Sequence, residues 1–152
     1  MPVKKTTRKS AKATTSKGRS TSTVRPTKRA VIATELAPKA IGPYSQGIRV
    51  GDFVFTAGQA AIDPAVGKLI EGDISAQTRR VLQNLSAILE AAGSSMSKVV
   101  KTTVFMTDLS LFGTMNAVYA EFFPANPPAR STVQVAALPL GALVEIECIA
   151  LM

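Results

Sequence analysis

Residues 143–151 alternate with the period of a half-covered strand. Val144, Ile146, Cys148 and Ala150 form one uniformly apolar parity, which assigns it to a core. Leu143, Glu145, Glu147, Ile149 and Leu151 form the other, mixing two carboxylates with three aliphatic side chains. A face that rich in Leu and Ile is not left bare in water. The two helices read below are spent on the opposite face, so a second subunit is the economical cover.

The rest of the chain reads around that strand. Residues 48–56 are β-branched and aromatic, broken at Gly51-Asp52, and predict a hairpin or bent strand. Ile74, Val81, Leu82, Leu85, Ile88, Leu89 and Ala92 recur at helical spacing, with Asp73 as N-cap and Gly93 as the stop. Residues 98–107 predict a strand. Leu111 to Phe123 predicts a second helix with Phe112, Met115, Tyr119 and Phe122 as its apolar stripe, ended by Pro124. Strands at 130–136 and 143–151 close the chain. Two helices segregated from several strands in one 152-residue chain make an α+β domain.

Composition removes whole classes of chemistry. The chain has no histidine and a single cysteine, Cys148, so it builds neither a His-dependent triad or dyad nor a His-based metal site, and no intrachain disulfide. Cys148 falls on the core parity and reads as inert packing. Apolar runs are short and interrupted, so no membrane helix is expected, and the first thirty residues hold no apolar signal core.

The formal charge of +8 is unevenly distributed. Residues 1–34 carry ten Lys/Arg and no acid, while residues 35–152 carry eight against ten Asp/Glu, a net of −2. The boundary is drawn as a disordered basic tail over 1–33 and a folded domain over 34–152. Three readings fit the tail: a solvated extension, a weak and salt-sensitive polyanion binder, or an organellar transit peptide. The expected location is cytoplasmic, or mitochondrial or plastid if the tail is a transit peptide.

Alternation in 130–136 directs Val133 and Val135 toward the core and puts Arg130, Thr132 and Gln134 on the face of the two glutamates. One arginine with glutamates, hydroxyl and amide groups makes a small-anion pocket, the arginine fork suiting a carboxylate. A half-buried glutamate with a raised pKa is fitted to hold and activate water. Periodicity alone favours an interfacial Arg130–Glu145 ion pair over that pocket.

Several stretches in order carry a more specific signal: Ala40-Ile41-Gly42-Pro43-Tyr44-Ser45-Gln46-Gly47, Phe55-Thr56-Ala57-Gly58-Gln59, Val100-Lys101-Thr102-Thr103-Val104-Phe105, Pro128-Ala129-Arg130-Ser131-Thr132-Val133 and Val144-Glu145-Ile146-Glu147. From about Thr34 to the C-terminus the chain resembles the RidA/YjgF family of reactive-intermediate deaminases. The resemblance implies a chorismate-mutase-like fold, a homotrimer with pockets between subunits, and no metal or cofactor. It implies hydrolysis of 2-iminobutanoate and 2-iminopropanoate, by-products of pyridoxal-phosphate dehydratases, to 2-oxo acids and ammonia. By the same resemblance Arg130 grips the substrate carboxylate and Glu145 positions water, while Tyr44, Gly58, Asn116 and Thr132 belong to the pocket. Ala57 and Thr132 stand where many members have serine and cysteine, which bears on substrate range and on thiol chemistry. Two other classes remain as rivals: a non-catalytic 2-oxo acid sensor and an RNA-associated protein.

Overall fold

The computed structural model describes residues 28–152. Its best-specified element is helix α1, Ile74–Ala91. The Asp73 carboxylate accepts from the Ala76 N–H at 2.9 Å, as an N-cap does. At the other end Gly93 takes a φ of +82°, its N–H donates to the Glu90 carbonyl at 2.9 Å, and the Ser94 N–H donates to Leu89 at 2.8 Å. That is a Schellman closure, which needs a residue without Cβ at its left-handed position. The expected stripe turns Val81, Leu82, Leu85, Ile88 and Leu89 fully inward.

Six strands form the main sheet, in the spatial order β1 (Arg29–Ile32), β2 (Gly47–Val50), β3 (Phe53–Thr56), β8 (Val144–Leu151), β6 (Val99–Met106), β7 (Ala129–Gln134). A small hairpin, β4 (Ile62–Asp63) and β5 (Lys68–Leu69), stands apart. All main-sheet neighbours are antiparallel except β6 and β7. The hairpin expected over 48–56 is β2–β3, turning at Gly51, whose φ is +58°. Helix α2, Phe112–Phe122, lies beside α1 on the same side of the sheet, and Arg79 of α1 bonds both carboxylate oxygens of Glu121 at 2.6 and 2.8 Å. This is the α+β arrangement expected.

Strand β8 is central, and Val144, Ile146, Cys148 and Ala150 all face the helices and are buried. The opposite face, with Phe53 and Phe55 of β3 beside Ile149 and Leu151 of β8, has no cover among the described residues.

Three expectations need correction. Arg29–Ile32, assigned to the tail, is strand β1 paired along β2, so ordered backbone begins before residue 34; residues 1–27 lie outside the described residues. On α2, Phe112 is exposed and Val118 takes a buried place beside Met115 and Tyr119. The parity of β7 is reversed. Thr102 pairs with Arg130 and Val104 with Thr132, and those β6 residues face the helices, so Arg130, Thr132 and Gln134 do too. Val133 is 43% exposed on the outer face. The reason is position: β7 is an edge strand, while α1 packs mainly on the central strand β8, so the helix-side residues of β7 are incompletely covered and need not be apolar.

The Schellman closure yields a direct test. Gly93→Ala is expected to cost about 1–2 kcal/mol, since a Cβ is disfavoured at that backbone position. Denaturant melts of the two proteins measure it, with the m-value unchanged.

Candidate active site

Glu145 leaves the outer face of β8 opposite Phe105 of β6. Its carboxylate lies directly over Gly58: a Cβ built at residue 58 would stand 1.9 Å from Glu145 Oε1 and 2.8 Å from its Cδ. Only glycine permits that approach. The backbone there is fixed by a two-way bridge, the Gln59 N–H donating to the Ile146 carbonyl at 2.9 Å and the Ile146 N–H to the Gln59 carbonyl at 3.1 Å. Burial raises the Glu145 pKa above the ordinary carboxylate value, and the nearby Glu147 charge adds to it.

The carboxylate opens into a cavity of about 350 Å³ whose walls include Tyr44, Ile41, Ile62 and Leu140. Tyr44 closes its own turn, its hydroxyl accepting from the Ile41 N–H at 3.3 Å. Behind it, the buried Gln46 amide accepts from Thr34 N at 2.7 Å. It donates to the carbonyls of Thr34, Ala37 and Pro38 at 3.0, 3.1 and 2.7 Å. One side chain thus holds the 34–38 segment that supplies Pro38 to the cavity wall. The floor is tied to α1 through Asn84, which donates to the carbonyls of Ala60 and Ile62 at 3.2 and 2.9 Å.

Arg130 stands elsewhere. Its guanidinium carbon lies 4.5 Å from the Tyr119 ring centroid and 5.4 Å from that of Phe112, a cation held between two aromatic faces. The Tyr119 hydroxyl hydrogen-bonds Thr102 Oγ1 at 2.8 Å, which locks the ring. Arg130 borders a second cavity of about 400 Å³ together with Asn116. Asn116 Oδ1 and Thr132 Oγ1 are both shielded from solvent and have no hydrogen-bond partner among the described residues, a costly condition unless something polar completes them.

The six residues expected to share one pocket therefore divide into two groups. Tyr44, Gly58 and Glu145 meet at the first cavity. Arg130 and Asn116 meet at the second, with Thr132 on the same strand face as Arg130. The expected face uniting arginine and glutamates does not exist in one subunit, and the salt bridges among the described residues include neither Arg130 nor Glu145. Cys148 behaves as expected of packing, its thiol pushed up to about 11 by burial.

The sequence reading missed Gln46 as a clamp, the aromatic cradle of Arg130, and Leu140. Gln46 had one readable signal, a lone amide inside a turn-rich stretch. The cradle had none, because Phe112 was read as core.

A family model described as Endoribonuclease L-PSP matches residues 34–152. A RutC family protein of Pyrococcus abyssi is 55% identical over 120 residues, 79% of this chain and 94% of its own length. The 2-iminobutanoate/2-iminopropanoate deaminase of Mus musculus is 48% identical, over 80% of this chain and 90% of its own. This chain belongs to the RidA/YjgF family. The crystal structure of the YjgF gene product from E. coli matches with a TM-score of 0.77 at 49% identity, covering 80% of this chain and 98% of that one. The RidA/YjgF resemblance read from the motifs is thus established from two directions, sequence and fold. No helix among the described residues is long and apolar enough to cross a membrane.

Gly58→Ala tests the contact on which the first cavity depends. Its methyl group would occupy the space of the Glu145 carboxylate, so the side chain must swing away. Whatever reaction the cavity carries should fall at least tenfold in rate with the far-UV spectrum intact. Retention of wild-type turnover would show that the close approach is dispensable.

Proposed function

We propose that this protein hydrolyses reactive 2-imino acids, such as 2-iminobutanoate and 2-iminopropanoate, to 2-oxo acids and ammonia, at sites completed between the subunits of a homotrimer. The observation that carries the reading is the division of the site residues. A water-positioning carboxylate and a carboxylate-binding arginine each border a half-formed cavity, on opposite faces of one sheet. A neighbouring copy seated on the uncovered apolar face supplies the missing half and buries Phe53, Phe55 and Leu151. A deaminase named for these substrates among the relatives supports the choice of reaction.

The chemistry suits the residues. Arg130, set against the Phe112 and Tyr119 rings and in no salt bridge among the described residues, receives the substrate carboxylate through its planar fork. Asn116 and Thr132, with unpartnered oxygens beside it, are completed by substrate or by ordered water. Glu145 accepts a proton from water as the oxygen bonds to the imine carbon and the C=N π pair moves to nitrogen. The same carboxyl returns the proton to nitrogen. Glu145 then takes the hydroxyl proton of this carbinolamine and passes it to nitrogen, and ammonia leaves with the C–N electron pair as the C=O bond forms, giving the 2-oxo acid. A carboxylate whose pKa is raised by burial takes up and returns a proton more readily than an ordinary one. Free imines already react with water, so most of the acceleration asked of the protein is placement.

The endoribonuclease in the family description is not carried over. Residues 35–152 have a net charge of −2, which gives the folded part no excess of cations to attract a polyanion.

Two variants test the assignment in an assay coupled to threonine dehydratase, following 2-oxobutanoate with semicarbazide trapping the free imine. Arg130→Ala should lose at least a hundredfold in kcat/KM without unfolding. Wild-type rates from it would sink the clamp. The wild-type rate should fall on the acid side at a pH above the ordinary carboxylate range, because Glu145 must be ionised to act. Glu145→Gln should be inactive throughout. Stability should move the other way. A raised folded-state pKa means that the contribution of Glu145 is complete below its unfolded pKa and is lost as pH rises through the folded one. Glu145→Gln should therefore melt higher than wild type at neutral pH and no higher near pH 4.

A further inference from the structure

Between β7 and β8 the chain makes a single tight turn at Pro139–Gly141. Leu140 in it has φ 58° and ψ 16°, a left-handed conformation that a branched apolar side chain adopts only at a cost. Gly141 beside it has φ +74°, and a Cβ built there would meet nothing within 4 Å. A glycine or asparagine at 140 would make the same turn without strain. Core packing does not account for the leucine, since its side chain is 61% exposed.

The turn is nevertheless held firmly. The Gly141 and Ala142 N–H groups donate to Leu138 and Pro139 at 3.3 and 3.1 Å, and the Leu143 N–H donates to Gln77 Oε1 of α1 at 2.9 Å. This rigid, strained turn puts Leu140 into the wall of the Glu145 cavity, together with Ile41, Ile62 and Tyr44. Strain without burial, located at a cavity beside a desolvated carboxylate, marks a side chain placed for what enters that cavity.

We propose that Leu140 is a specificity-determining residue, its side chain contacting the aliphatic group of the substrate, so that this protein favours longer or branched aliphatic 2-imino acids over the alanine-derived one. The proposal rests on the deaminase reading of the cavity. Arg130 holds the carboxylate end and Glu145 the imine carbon, and the remaining substituent lies along the apolar wall. Leu140 takes no part in proton transfer.

Leu140→Gly and Leu140→Asn in the full chain test it, because both residues accept the left-handed backbone. Imines are generated in situ by an amino-acid oxidase from alanine, 2-aminobutanoate and leucine, and kcat/KM is measured for each. The leucine-derived imine should lose about tenfold relative to the alanine-derived one, which should stay within about twofold of wild type. The change should fall mainly in KM. Both variants should melt at or above the wild-type temperature and keep its oligomeric state by light scattering. An unchanged preference in an active, intact oligomer overturns the proposal, and so does dissociation of the variants, which would make Leu140 an interface anchor. Wild type inactive on all three imines refutes the deaminase reading instead. In that event calorimetric titration with pyruvate and 4-methyl-2-oxopentanoate decides the inference. A wild-type preference for the longer acid that the variants lose upholds it, and equal affinities overturn it.

Discussion

The pairing of β6 with β7 and β8 over Thr102–Met106 decides which side of the sheet each charged residue occupies. Phe105 opposite Glu145 sends the carboxylate to the bare face, and Thr102 opposite Arg130 sends the guanidinium to the helix face. Side chains alternate strictly along a strand, so no local adjustment brings the two together within one subunit. The same pairing leaves an apolar surface of Phe53, Phe55, Ile149 and Leu151 uncovered. Separation of the charges and the bare apolar face have one cause.

The two clusters differ in electrostatic character. Glu145 is pressed onto Gly58 and partly desolvated with another carboxylate near, which favours its protonated form and makes it responsive to a reacting water. Arg130 is the complement, a cation braced by aromatic faces with two unpartnered oxygens beside it. An Arg130–Glu145 ion pair inside one subunit would neutralise both. Placing them on opposite faces keeps the two apart, as the proposed roles of carboxylate clamp and proton carrier require.

Much of this was legible in the chain. The alternation of 143–151 correctly predicted the buried and bare faces of β8, because a central strand with helices on one side has no freedom in its pattern. Asp73 and Gly93 marked the ends of α1 because capping is local chemistry. Alternation failed at β7, where Val133 points outward, since edge position relaxes the rule that apolar means inward. β1 was missed because four residues of mixed character gain their structure from β2 and not from themselves. The division of the site into two halves was illegible for a related reason. It depends on a parallel register between segments about thirty residues apart, which no local pattern records.

Mixing subunits tests the central claim most directly. Arg130→Ala and Glu145→Gln chains, each inactive alone, are unfolded together at equal concentration and refolded into mixed oligomers. If every site takes its arginine from one subunit and its glutamate from the next, about a quarter of the sites regain both groups, and roughly that fraction of wild-type 2-imino acid hydrolysis should return. Mixed oligomers that form and remain inactive would contradict the account.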